Sequence, residues 1–251
     1  MICRLLPYQI ADGPTNMAID EALLEVVAED PSTAYLRTYG WTAPTLSLGY
    51  FQRWADAEAE PRWRTLAKVR RPTGGGAILH HNELTYAVIV PASHPLARPN
   101  TALYRAVHRA FGDILTGRNV DARRFGDLNP AAEREPMASR PFLCFADRDG
   151  EDMVFQGSKI VGSAQRRRAG AILQHGALLL GRSPAAPELP GVADLIEEAG
   201  DPQSWAALVA APLCRALGME PIASDFPEGF GERVERLKQT VYCRESWNER
   251  R

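Results

Sequence analysis

Long apolar runs, clustered cysteines and a surplus of charge of either sign are all missing from this sequence. No stretch approaches the roughly eighteen consecutive apolar residues that a membrane helix needs, so no membrane partner is expected. The 29 basic and 31 acidic residues leave a net charge of −2. A chain so balanced has no general attraction to nucleic acid or to anionic lipid, and any charge effect must be local. Cys3, Cys144, Cys214 and Cys243 stand far apart, with no CxxC pair and no metal-ligand spacing. Free thiols in a reducing cytoplasm are the expectation, not a disulfide scaffold or a structural metal. The opening Met1–Pro7 lacks the apolar region of a secretory signal. No internal repeat or linker divides the 251 residues, of which 45% are hydrophobic. One domain over residues 1–251 is the economical expectation.

What is present reads as α/β (α+β), a mixed or antiparallel sheet with flanking helices. Residues 2–9 suggest a short strand. Asp12-Gly13-Pro14-Thr15-Asn16 opens a helix running to about Ala28, with Met17, Leu23, Leu24 and Val27 on its apolar side. Ala34–Tyr39 and Thr45–Phe51 alternate as strands, and a polar stretch follows at Arg53–Arg64. Leu84–Val90 is strand-like, and Asn100–Thr116 repeats apolar residues at helical spacing. Arg118–Arg140 is poor in apolar residues and reads as a long surface loop. Asp152–Phe155, Lys159–Gln165 and Ala171–Leu180 suggest an antiparallel meander, with turns at Gln156-Gly157-Ser158 and Arg167–Gly170. From about Asp194 the pattern is mostly helical.

Residues 70–76 read Arg-Arg-Pro-Thr-Gly-Gly-Gly. Each glycine costs roughly 0.5–1 kcal/mol of backbone entropy in a regular element. The usual reason to accept this is close approach of a ligand or unusual φ angles. Arg70 and Arg71 beside the bare backbone suggest an anionic or carbonyl-bearing guest. On the glycines alone, a simple turn is an equal reading. Lys159 heads the small-residue strand Ile160-Val161-Gly162-Ser163-Ala164, where its ammonium either reaches a bound carbonyl or phosphate or sits exposed on a hairpin. Cys144 lies in the apolar island Pro141–Phe145, and as a lone cysteine it reads first as a small buried hydrophobe. A nearby ammonium would instead favour its thiolate, the nucleophilic form. His175-Gly176 within a strand suggests close backbone approach, or a hydrogen-bonded core histidine. His80 and His81 are adjacent, so in a strand they face opposite ways and cannot easily share a metal ion.

RRPTGGGAILHH, GSKIVGSA and HGALLL, in this order, resemble the three signature segments of the lipoate-protein ligase A and octanoyltransferase family, a relative of the biotin protein ligases. Asn16–Ala22, Ser47–Gln52 and Trp247-Asn248 are similar to this family as well, so the resemblance covers nearly the whole chain. It implies a biotinyl-ligase-like catalytic domain, distantly similar to class II synthetases. It also implies attachment of an octanoyl or lipoyl group to one lysine of a lipoyl domain. Ligases of the family activate a free acid with ATP and magnesium. Octanoyltransferases take octanoate from acyl carrier protein through a cysteine thioester and need no cofactor. Leu143-Cys144-Phe145 resembles the cysteine region of the transferases, and little chain follows His175 for the ligases' accessory domain. The family usually has Asp where this chain has His81, which weakens the ATP reading.

The resemblance implies Cys144 and Lys159 as catalytic residues. It implies substrate contacts from Arg70, Arg71, Thr73, Gly74, Gly75, Gly76, Ala77, His80, Gly162, Ser163, Ala164, His175 and Gly176. Expected partners are octanoyl-acyl carrier protein and a lipoyl-domain acceptor, that of glycine cleavage H protein or of 2-oxoacid dehydrogenase E2. ATP-dependent ligation is the alternative activity, and transfer between lipoyl domains a further one. Ile78, Leu79, Tyr86 and Val161 are candidate walls for an acyl slot. Arg166-Arg167-Arg168, placed at a hairpin tip, would dock an acidic carrier or remain a solvated turn.

Overall fold

A computed structural model describes residues 1–130, 140–196 and 200–250. The chain opens with two short strands, β1 (Ile2–Leu5) and β2 (Gln9–Ala11), where one was expected. Helix α1 (Gly13–Glu29) starts where the carboxylate of Asp12 accepts from the amide of Thr15 at 2.8 Å, with proline in the first turn. Asp12 thereby satisfies one of the amides a helix start leaves unpaired. Strand β3 (Thr33–Trp41) and β4 (Thr45–Leu48) follow. β4 ends three residues before Phe51, because Gly49 and Gln52 close a turn through Gln52 N–H to Gly49 C=O. The polar stretch contains a helix, α2 (Trp54–Ala59). Strands β5 (Ala67–Arg70), β6 (Ile78–His80) and β7 (Glu83–Pro91) then lead to α3 (Ala102–Thr116).

The segment read as one long loop holds a strand, β8 (Arg123–Arg124), and a helical turn, α4 (Phe125–Leu128). Its residues 131–139 lie outside the described residues. β9 (Met153–Phe155), β10 (Ser158–Arg168) and β11 (Ala171–Leu179) form the expected meander. After α5 (Val192–Leu195) and α6 (Pro202–Ala216), an unforeseen strand, β12 (Glu220–Ala223), pairs in parallel with β1. Helix α7 (Phe230–Leu237) and the short α8 (Glu245–Asn248) complete the chain. Among the described residues no helix is long and apolar enough to cross a membrane.

Among the described residues nine strands join in one mixed sheet, with path β12-β1-β3-β7-β11-β10-β9-β8 and β2 alongside β3. β7 explains how this sheet carries two cores. Its side chains alternate, so Leu84, Tyr86, Val88 and Val90 pack with α3 and α6, through Phe111, Leu115, Trp205 and Leu213. Ala87 and Ile89 face the opposite way, toward Met17, Leu23 and Val27 of α1 and Leu237 of α7. A strand buried on both faces reads as a continuous apolar run. A second sheet, β5-β4-β6, lies to one side and packs through Leu46, Leu48 and Leu79 on Trp63 and Leu143. The candidate site forms where the two sheets meet.

Candidate active site

Cys144 is positioned by its neighbours. Leu143 and Phe145 are buried, and Phe142 stacks on Trp63 with ring centroids 5.0 Å apart. The backbone completes the anchoring. Ala77 N–H donates to Phe142 C=O at 2.8 Å, and Cys144 N–H donates to Ala77 C=O at 2.7 Å. Gln52 donates from Nε2 to the same Phe142 carbonyl at 2.9 Å. The cysteine segment is thus bonded to the exit of the glycine loop, and this is why Gly76 must be small. A Cβ there would stand 2.9 Å from Cys144 N and 3.0 Å from its Cα. Gly75, with φ +91°, occupies backbone space that side-chain-bearing residues avoid.

Lys159 reaches the cysteine from the other side. Between β9 and β10 the register shifts, with Lys159 opposite Val154 but Val161 opposite Met153. Such a bulge re-aims side chains. Lys159 is only 5% exposed, which removes the exposed-hairpin reading. Its Nζ donates to Asp152 Oδ2 at 2.8 Å, to Cys144 C=O at 3.0 Å and to Cys144 Sγ at 3.4 Å. Three hydrogens meet three acceptors. Burial alone would lower the Lys159 pKa, but the neighbouring Cys144 and Asp152 outweigh it and raise it above its ordinary value. The ammonium therefore persists at neutral pH. Asp152 was not singled out in the sequence; it is the last of four carboxylates at 147, 149, 151 and 152, just before the strand that pairs with Lys159.

Arg70 and Arg71 are where the expectation of direct ligand contact needs revision. Both are buried. Arg70 donates to the carbonyls of Gly49, Gln52, Trp247 and Asn248, at 2.7–3.2 Å. Arg71 donates to the carbonyls of Ser47, Gly74 and Gly76 and to Thr73 Oγ1. Burial pushes the Arg71 guanidinium down to about 10, which still leaves it charged at neutral pH. Arg71 braces the glycine loop by gathering carbonyls of its run, and Arg70 ties the Gly49–Gln52 turn to α8. With the carbonyls turned inward, the amides of Gly74, Gly75 and Gly76 donate to nothing among the described residues.

Thr73 rests on a buried chain. Its hydroxyl lies 2.7 Å from His175 Nε2, and His175 Nδ1 lies 2.8 Å from Asp20 Oδ2. Asp20 also accepts from Arg37 and Tyr39. His175 is thus a hydrogen-bonded core histidine inside an unbroken strand. The close approach inferred at Gly176 is real, since a Cβ there would meet Gly162 C=O at 2.2 Å. Asp20 was missed; Asn16 and Asp20, four apart on the buried face of α1, were its trace. His80 stacks on Trp41 at 3.8 Å and bonds Ser47 and Glu83, while His81 bonds Ser183. Burial lowers the His80 pKa despite Glu83. Ser163 turns to the α3 face and bonds His108, whereas Gly162 lies against Lys159 and Ala164 pairs with His175.

The expected acyl walls do not assemble. Tyr86 and Val161 belong to the α3–α6 core, Leu79 to the second sheet, and only Ile78 packs with Phe145, Ala177 and Leu179 beside Cys144. The arginine triplet is not a hairpin tip either, because β10 continues through Arg168. Arg167 donates to Ala97 C=O and Arg168 pairs with Glu21.

Residues 12–187 match the lipoyl protein ligase A/B catalytic domain. The chain belongs to that family. It is 35% identical to octanoyltransferase LipM of Kyrpidia tusciae over 255 residues, covering 97% of this chain and 92% of that protein. It is 40% identical to octanoyltransferase LipM of Bacillus subtilis over 182 residues, covering 70% and 65%. Against octanoyltransferase LipM of Geobacillus kaustophilus, identity is 41% and the match spans 60% of that protein. The fold is that of lipoate-protein ligase A bound with ATP, with TM-score 0.76 at 23% identity over 99% of both chains. It is also that of the bi-partite lipoate protein ligase of Thermoplasma acidophilum, with TM-score 0.73 at 22% identity over 99% and 96%. The mixed sheet with flanking helices expected from the sequence is the fold these lipoate protein ligases share.

Proposed function

We propose that this chain is a cysteine-dependent octanoyltransferase. It takes an octanoyl group from the thioester of acyl carrier protein and delivers it to a lysine of a lipoyl domain, in the cytoplasm. The observation that carries the reading is the buried Lys159 ammonium 3.4 Å from Cys144 Sγ. A cation held there by Asp152 offsets the negative charge that develops at the reacting centre as the sulfur attacks and as it later leaves. In the first half-reaction the Cys144 sulfur bonds to the octanoyl carbonyl carbon. The carbon–sulfur bond to the donor breaks, and the donor sulfur leaves with the electron pair and takes up a proton. In the second, the acceptor amine nitrogen bonds to that carbon and loses a proton, and the Cys144 sulfur leaves. Neither step uses ATP or magnesium.

The Cys144 amide is already spent on Ala77 C=O, so the oxyanion must find other donors. The unspent amides of Gly74–Gly76 fit that need, joined by the one Lys159 hydrogen that faces Sγ until the sulfur attacks; losing one such donor typically costs about 2.7–4 kcal/mol of barrier. Ile78, Phe145, Ala177 and Leu179 form the apolar cluster against which Cys144 packs. It is the natural wall for the acyl tail, at about 0.8 kcal/mol per buried methylene. The names of the Kyrpidia and Bacillus relatives support the same activity.

Incubation with octanoyl-acyl carrier protein should add one octanoyl mass to the protein, removable by hydroxylamine and absent in Cys144→Ala. The Cys144→Ala variant should also transfer nothing to a lipoyl domain. Activity that survives this substitution and releases pyrophosphate from ATP would make the chain a ligase. Acylation by an octanoylated lipoyl domain but not by acyl carrier protein would make it a domain-to-domain transferase.

A further inference from the structure

Two guanidinium groups converge on one aromatic ring at the outer end of the site. Arg166 lies 5.5 Å and Arg250 4.4 Å from the ring centroid of Tyr50. Tyr50 is fixed to the glycine loop through its N–H, which donates to Thr73 C=O at 2.8 Å. Arg250 is brought there by α8, whose Trp247 and Asn248 bond the backbone of Arg70 and whose Trp247 meets the Tyr50 ring edge-on at 5.7 Å. Neither arginine has a carboxylate within ion-pair distance among the described residues. Their neighbours on β10 differ: Arg168 has Glu21, and Arg167 donates to Ala97 C=O and to Gln165. In a chain of net charge −2, two like charges set about one ring, with no carboxylate paired to either among the described residues, form a receptor for an anion.

The strand beneath measures how far that receptor lies from the sulfur. Gly162, Ala164 and Arg166 point to one face of β10, as residues two apart must. Gly162 lies against Lys159 Nζ, Ala164 is opposite His175 under the glycine loop, and Arg166 is at Tyr50. Four residues at about 3.3 Å each place Arg166 roughly 13 Å along the strand from Gly162. An extended ligand on this track would carry a reactive carbonyl at one end and an anion at the other. The Lys159 stem covers Gly162, and Ala164 adds only a methyl group to the track. Along its length the ligand would pass the unspent amides of Gly74–Gly76.

We infer that Arg166 and Arg250 clamp the phosphate of the donor's thioester-bearing arm, the phosphopantetheine, while its thioester lies at Cys144. The inference rests on the transferase reading and adds to it a recognition element for the donor. The arm's two amide groups, between phosphate and sulfur, suit a track edged by free backbone donors.

The test compares two small donors, octanoyl-4′-phosphopantetheine and octanoyl-pantetheine, which differ only in the phosphate. Acylation of Cys144 is followed by mass spectrometry, and kcat/KM is measured for each. The phosphorylated donor should be preferred about twentyfold. The preference should fall about fivefold in Arg166→Gln or Arg250→Gln and approach unity in the double variant, in line with partly exposed charge contacts. Equal use of both donors by the unaltered protein, or a preference that persists in the double variant, overturns the clamp and leaves the transferase reading intact. Variants that weaken only the intact carrier protein would assign the arginines to its carboxylates and also overturn the inference. If neither donor acylates Cys144, the transferase reading fails and the clamp fails with it.

Discussion

Gly162 lies under the Lys159 side chain, where an alanine Cβ would stand 2.5 Å from Cε and 3.1 Å from Nζ. The strand carries the glycine because the lysine stem occupies the space its side chain would take. Gly162→Ala should push the ammonium off the sulfur while leaving the ladder of β10 paired. A displacement near 1 Å at reacting groups costs on the order of a hundredfold in rate. The expected outcome is a tenfold to hundredfold fall in the rate of Cys144 acylation with little change in KM, measured by single-turnover mass spectrometry. The identities of Cys144 and Lys159 were legible in the sequence. Their contact was not, because fourteen intervening residues give no distance. Asp152 was invisible for the same reason: a carboxylate near a turn looks solvated until the fold buries it at 2.8 Å from a lysine.

At the scale of elements, α8 and β5 act as one unit. Asn248 Oδ1 accepts from Arg70 N–H at 2.8 Å, and its Nδ2 donates to Tyr242 C=O at 2.8 Å. Asn248→Ala would leave these partly buried backbone groups unpaired, at about 1–3 kcal/mol. Urea denaturation should show that loss, with the acylation rate falling as well because Arg70 holds the turn at Gly49–Gln52. The meander β9–β10–β11 and helices α1 and α3 were readable from periodicity, since one apolar face per element leaves its period in the chain. β12 was not. Glu220–Ala223 is mostly exposed at a sheet edge and carries no alternation to betray it. The arginine triplet was placed at a tip because charge usually marks a turn; the strand ran on because Arg167 and Arg168 found partners on opposite faces.

The whole molecule carries three buried histidines, His80, His94 and His108, whose pKa values are lowered chiefly by burial, with Glu83, the Leu217 backbone and the Glu151 carbonyl opposing in turn. A lowered folded pKa means that the unfolded chain binds protons first as pH falls through about 6.5. Their contribution is full above that pH and is lost progressively below it. Thermal midpoints should fall between pH 7 and pH 5, and His108→Asn should flatten the slope, as followed by circular dichroism. The glycine run, the order of the three signature segments and the alternation of β7 are local properties, so the amino-acid chain settles the family, the fold class and the candidate residues unaided. The roles of the charged groups depend on burial and on partners far away in the chain. Only folding decides that Arg70 and Arg71 spend their hydrogens on backbone carbonyls, that Lys159 is sealed against Cys144, and that Arg166 and Arg250 meet no carboxylate among the described residues. A guanidinium's function follows from which acceptor it reaches, and no spacing along the chain records that.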